Sequence, residues 1–220
     1  VAVHCEDLNL LYLCTAKTGS TSVSSVLIEQ LGGRWVPAEH IYDGDRICVD
    51  SKHSSLLELV EYGLFTTDEI NSMNVVLTVR NPFAWVLSSY RYRQRVHRQL
   101  DDFGEDAPRW MTSRAADVRR ASTITFDEYV RREVPETDNS VFGRYVEGFV
   151  DHPALTCLRI ETIDRDLNEL LGRLGVGWHI TLPHENSTDA PSYREMFSPE
   201  SRSVVEDVFA EELAMFDYSY

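Results

Sequence analysis

Two hydrophobic periods run through this chain. Short apolar runs occupy residues 10–14, 75–79 and 155–160, with briefer ones at 34–36 and 47–49. Runs of this length, rich in leucine, valine and isoleucine, read as strands, and those apolar at nearly every position read as strands covered on both faces. Between them, apolar residues recur at helical spacing around 20–30, 56–61, 68–72, 83–97, 126–132, 164–174 and 199–216. Phe83, Val86, Leu87 and Tyr90 form one such stripe. Several helix starts are signed locally. Thr66 with Glu69 and Thr125 with Glu128 fit capping boxes, and Ser198-Pro199-Glu200 supplies an N-cap, a first-turn proline and an early acid. Strands alternating with helices predict an α/β protein built on a central, mostly parallel sheet flanked by helices, with ligands at the carboxyl ends of the strands.

Residues 100–121 break the pattern. They are polar, contain Gly104 and Pro108 and show no clear period. The stretch reads as a lid or insertion beside a ligand site, with Trp110 and Met111 available to close over a bound molecule. No repeat or composition shift divides the chain, so residues 1–220 read as one domain.

Composition adds bounds. The 43% apolar and 26% charged residues are those of a soluble globular protein. No apolar run reaches the roughly 18 to 20 residues of a membrane span, and a basic-then-apolar secretion signal is missing from the start. The expectation is a cytoplasmic protein; because the chain opens on Val1, a lumenal domain with its anchor removed is the alternative. A net charge of −15 argues against nucleic acid or an anionic membrane as partner. Residues 80–98 depart from that acidity with five arginines and no acid, enough for a locally positive cleft. Cys14, Cys48 and Cys157 sit in or beside expected strands at spacings unlike any zinc motif, and a chain this long needs no disulfide framework, which favours a reducing compartment.

The chemistry begins where the strand at 10–14 breaks into Thr15-Ala16-Lys17-Thr18-Gly19-Ser20-Thr21-Ser22 and restarts as a helix. A helix start leaves backbone N–H groups without internal partners and carries the positive end of the macrodipole, so it binds an anion through main chain. Gly19 permits close approach, the hydroxyls of Ser20, Thr21 and Ser22 add donors, and Lys17 adds a mobile charge. A Walker A loop is excluded, because it needs its lysine after a second glycine and here Lys17 precedes the only one. A second corner follows the strand at 75–79. Arg80 ends it, Asn81-Pro82 opens a helix, and Ser88 lies nearly two turns in. Arg80 and Ser88 are candidates to hold one anionic group.

Together these two segments, with Ser51-Lys52-His53-Ser54 between them, resemble the sulfotransferase superfamily that uses 3'-phosphoadenosine 5'-phosphosulfate (PAPS) as donor. Leu158-Arg159-Ile160-Glu161, His184-Glu185-Asn186-Ser187, Tyr193-Arg194-Glu195 and Phe216-Asp217-Tyr218 extend the resemblance toward the carbohydrate-type and bacterial branch. It implies a P-loop-like three-layer fold in which Lys17, Thr18, Gly19, Ser20, Thr21 and Ser22 bind the 5'-phosphosulfate and Arg80 and Ser88 the 3'-phosphate. Tyr193 and Arg194, with Asn186 and Ser187, fall in a carboxyl-terminal loop near the nucleotide, although the arginine-lysine-glycine element of cytosolic members is missing. Lys17 then balances charge on the leaving oxygen and His53 acts as general base, with His40 as its rival. Lys52 either binds the donor or holds the turn. Arg91, Arg95 and Arg98 either reach an acidic acceptor or form a solvated face. The implied reaction needs no metal and moves a sulfuryl group to a hydroxyl of a carbohydrate or small metabolite. Two other classes stay open: a nucleotide-binding module without turnover, and a kinase-like phosphotransferase.

Overall fold

The computed structural model describes residues 2–44, 46–113, 115–136, 141–183 and 192–220. In chain order its elements are β1 (Ala2–Cys5), β2 (Leu10–Leu13), α1 (Ser20–Leu31), β3 (Arg34–Val36), β4 (Ile41–Asp43), β5 (Arg46–Val49), α2 (Leu56–Glu61), α3 (Thr67–Ser72), β6 (Asn74–Val79), α4 (Pro82–Phe103), α5 (Arg109–Thr112), α6 (Ala115–Ser122), α7 (Phe126–Glu133), α8 (Val141–Val146), β7 (Leu155–Arg159), α9 (Ile163–Arg173), α10 (Pro199–Val208) and α11 (Ala210–Met215). They fall into two compact units, Val1–Arg80 with Val141–Thr188, and Asn81–Ser140 with Asp189–Tyr220.

The first unit holds a five-stranded sheet in the order β3-β1-β2-β6-β7. β2, β6 and β7 pair in parallel, whereas β1 runs antiparallel to both β2 and β3, so four of the five strands share a direction. On one face Val3, Cys5, Tyr12, Val76 and Leu158 pack against Val23, Val26 and Leu27 of α1 and Leu167, Leu170 and Leu171 of α9. Leu11, Leu13, Val75 and Leu77, which alternate with that set, are also fully buried. Both faces of β2 and β6 are therefore covered, which is why these strands read as unbroken apolar runs. Each buried aliphatic side chain contributes about 1.5–3 kcal/mol, so the two central strands anchor the unit. The Tyr12 hydroxyl lies 2.6 Å from Thr78 Oγ1, tying the carboxyl ends of β2 and β6 together.

In the second unit α4 buries Phe83, Val86 and Leu87 as expected, and Trp85 with them. Arg93 donates to the Tyr129 hydroxyl of α7 at 2.8 Å, and Ser198, the N-cap of α10, donates to Asp127 of α7 at 2.6 Å.

Several expectations are corrected. The run at 47–49 is a strand, but it pairs with β4 in a separate antiparallel hairpin and not in the central sheet. Cys48 and Cys157 are only partly buried; all four cysteines are free thiols. Residues 100–121 are largely helical: α4 continues to Phe103, Gly104 turns the chain at φ 56°, and α6 returns onto α4. Met111 is 2% exposed in a cluster with Val96, Leu100 and Val118, and Trp110 packs against the same cluster, so both are spent on packing. The helix expected over 199–216 breaks at Phe209, whose ring is buried 5.9 Å from Trp85. No glycine or proline marks that break.

Candidate active site

The turn between β2 and α1 is held open by its own side chains. Thr15 donates its hydroxyl proton to the Thr78 carbonyl at the end of β6, and Thr18 Oγ1 lies 2.6 Å from Thr15 Oγ1 and 3.0 Å from the Thr15 carbonyl. Because Thr15 has one proton and gives it to Thr78, the Thr18 hydroxyl supplies the proton on this side, shared between Thr15 Oγ1 and the Thr15 carbonyl. The Thr18 side chain is fully buried, so its hydroxyl serves the loop itself. Lys17 follows with φ 64° and Gly19 with φ 76°. A side chain with a Cβ rarely adopts the first of these, and such outliers gather at ligand sites where neighbours hold them in place. The neighbour here is Arg80, whose Nη1 donates to the Lys17 carbonyl at 3.1 Å.

Gly19 is the N-cap of α1 and no side chain caps the helix, nor does any acid occupy its first turn. A Cβ built at Gly19 would lie 2.3 Å from Ile160 Cδ1, so the position demands glycine by space as well as by dihedral angle. The amides of Ser20, Thr21 and Ser22 thus start the helix without a carboxylate beside them. That arrangement attracts an anion.

The Lys52-His53 segment reaches the same turn. His53 Nδ1 lies 2.7 Å from the Cys14 carbonyl, which can only accept, so Nδ1 carries the proton and Nε2 the lone pair. Burial drives the His53 pKa down to about 4, only partly offset by the bond to Cys14 and by Asp50. Neutral imidazole is therefore the form at physiological pH. Asp50 organises the segment: its carboxylate accepts the Lys52 amide at 2.7 Å, and its carbonyl accepts the His53 amide at 3.3 Å and the Ser54 hydroxyl at 2.7 Å. Lys52 itself is exposed. His40 accepts the Ser51 amide on Nδ1 at 2.8 Å, so that lone pair is committed to the loop. A further group, Tyr145 of α8, accepts the Ala16 amide at 3.1 Å.

The structure thus brings Lys17, Thr18, Gly19, Ser20, Thr21, Ser22, Lys52, His53 and Arg80 together around one turn of the first unit. Ser88, Tyr193 and Arg194 belong to the second unit. Ser88 is half-buried on α4. The Tyr193 ring stacks on Phe83 at 6.2 Å, and the Arg194 guanidinium lies 5.4 Å over Tyr193 and 5.7 Å over Tyr220. Asn186 and Ser187 lie outside the described residues. Among the described residues no three His, Cys, Asp or Glu side chains gather to hold a metal ion, and no helix is long and apolar enough to cross a membrane.

Sequence reasoning does not single out Asp50, Thr15 or Tyr145 as site residues. Asp50 had a readable signal, since an aspartate accepting the amide two residues on is a common Asx turn. Tyr145 had none: its partner is 129 residues away in the chain.

A mostly parallel α/β sheet whose β2–turn–α1 unit presents an uncapped helix start, with Lys17 in the turn and Arg80 bonded to it from the end of β6, defines an anion-binding scaffold. The family model of the sulfotransferase family matches residues 2–219, and the chain belongs to that family. Neither curated proteins nor solved structures provide a match to it.

Proposed function

We propose that the protein transfers the sulfuryl group of PAPS to a hydroxyl of a carbohydrate or small hydroxylated metabolite. Membership of the sulfotransferase family supports sulfuryl transfer; the donor and the acceptor class are the finer reading. One observation carries it: His53 and Arg80 bond to the carbonyls of Cys14 and Lys17, the two residues that bracket the turn before the uncapped start of α1.

In this reading the amides at the start of α1 and the Lys17 ammonium hold the 5'-phosphosulfate. The acceptor oxygen attacks sulfur, the bond from sulfur to the 5'-phosphate oxygen breaks, and Lys17 balances the charge that grows on that oxygen. The acceptor proton passes to His53 Nε2. The products are a sulfate ester and 3'-phosphoadenosine 5'-phosphate (PAP). His53 suits the base role because its Nδ1–H is fixed on Cys14 and its lone pair is on the other nitrogen; His40 has its Nδ1 lone pair on Ser51. A bound polyanion raises the His53 pKa from its low resting value toward neutrality, which strengthens the base as the donor arrives. The resemblance to the family carries Ser88, Tyr193 and Arg194 to the nucleotide, and Lys52 to the donor or to the turn.

The test is transfer of labelled sulfate from PAPS to a panel of hydroxylated acceptors. The wild type transfers label, and His53→Ala lowers the rate by about 10²–10⁴-fold. A wild type that binds PAP but transfers nothing to any acceptor overturns the enzyme reading in favour of a binding module. Full activity in His53→Ala removes His53 as base.

A further inference from the structure

Tyr145 is 2% exposed, and its hydroxyl oxygen accepts the Ala16 amide at 3.1 Å. Among the described residues the Ala16 amide is its one hydrogen-bond partner, and none of them accepts the phenolic proton. A phenol carries one proton and usually places it when buried, and a buried donor left unpaired is costly. Burial also pushes the phenol up to about 12, which keeps that proton on the oxygen throughout the physiological range. The Tyr145 hydroxyl sits at the turn that leads into a helix start suited to an anion. Ala16 is the residue before Lys17, and the helix start two residues beyond Lys17 lacks both a capping side chain and an acid.

We propose that Tyr145 is a ligand-contacting residue of the anion site, its oxygen holding the Ala16 amide while its proton is donated to a phosphate oxygen at the 5' end of the bound nucleotide. The assignment rests on the PAPS reading above. It gives α8 a function: the helix delivers one hydroxyl that both fixes the start of the turn and reads the occupant. The Arg144 guanidinium, 5.6 Å from the Tyr145 ring centroid, packs on the ring whose tip does this work.

The experiment compares two ligands that differ only at the proposed contact. PAP carries a 5'-phosphate, and 3'-AMP lacks it. Calorimetric titration of Tyr145→Phe, which keeps the buried ring and removes the hydroxyl, is expected to show PAP binding weakened by roughly tenfold or more and 3'-AMP binding unchanged. Equal loss for both ligands assigns Tyr145 to general upkeep of the fold and overturns the proposal. No loss for either does the same. A measurement on the wild type alone guards against a variant that folds poorly: exchange of the Ala16 amide slows on adding PAP and not on adding 3'-AMP. Equal slowing by both contradicts the proposed contact. Failure of the parent reading looks different, because a wild type that prefers ATP to PAP rejects the PAPS site before Tyr145 is tested.

Discussion

Helices α1 and α3 begin in opposite ways. At α3 the Thr66 hydroxyl accepts the Glu69 amide at 3.2 Å and the Glu69 carboxylate accepts the Thr66 amide at 2.7 Å, so the helix carries its own anion at its positive end. α2 repeats the arrangement with Ser55 and Glu58, and α7 with Thr125 and Glu128. α1 does none of this. Its cap is a left-handed glycine, and three hydroxyl residues stand where an acid would close the box. The difference teaches that a helix start is a binding site only when the chain declines to satisfy it, and in this protein Lys17, Arg80 and His53 gather at such a start.

Closing α1 in the manner of α3 is the most severe test. Ser22 occupies the position that Glu69 holds in α3, and Ser22→Glu places a carboxylate beside the expected phosphosulfate. PAP affinity is expected to fall by roughly a hundredfold, from like charges a few ångströms apart, while urea unfolding shows no loss of stability. Gly19→Ala comes next. The left-handed conformation costs an L-residue about 1–2 kcal/mol, and the new methyl meets Ile160, so the urea midpoint drops and PAP binding weakens with it. Opening α3 is the converse experiment. Thr66→Ala costs roughly 1 kcal/mol of stability, as loss of an N-cap usually does, with PAP affinity unchanged.

The smallest effect is on pH dependence. Burial holds the His53 pKa at about 4 against an ordinary 6.5. Between these values the unfolded chain binds the additional proton, so stability is complete above about 6.5 and is lost progressively as pH falls toward 4. His53→Gln flattens that part of the curve, measured by urea unfolding across the same interval.

How much of this was legible in the sequence depends on whether the physics was local. The apolar runs of β2, β6 and β7 and the boxes at Thr66 and Thr125 follow from nearest-neighbour pattern and were read within a residue or two. The turn at Lys17 and Gly19 was legible for the same reason. β1 was missed because His4 interrupts a four-residue run, although burial within the sheet overrides that polarity. β4 was missed despite a readable cue, a turn-forming Gly44 directly after the short apolar-polar run that ends in Asp43. The break at Phe209 and the role of Tyr145 were illegible, since each is set by a partner far along the chain. Trp110 and Met111, expected to close over a ligand, pack in a small core shared with α4 that their spacing hid. Asp50 shows the middle case, a local turn signal whose importance emerges only once His53 is seen against Cys14.

The central claim is that the start of α1 was left open for the donor nucleotide. Mapping backbone amide shifts on titration with PAP tests it most directly. The account predicts that the amides of residues 16–22 move, that those opening α2, α3 and α7 stay still, and that excess ATP fails to displace PAP. Shifts confined to the self-capped helices, or ready displacement by ATP, would contradict it.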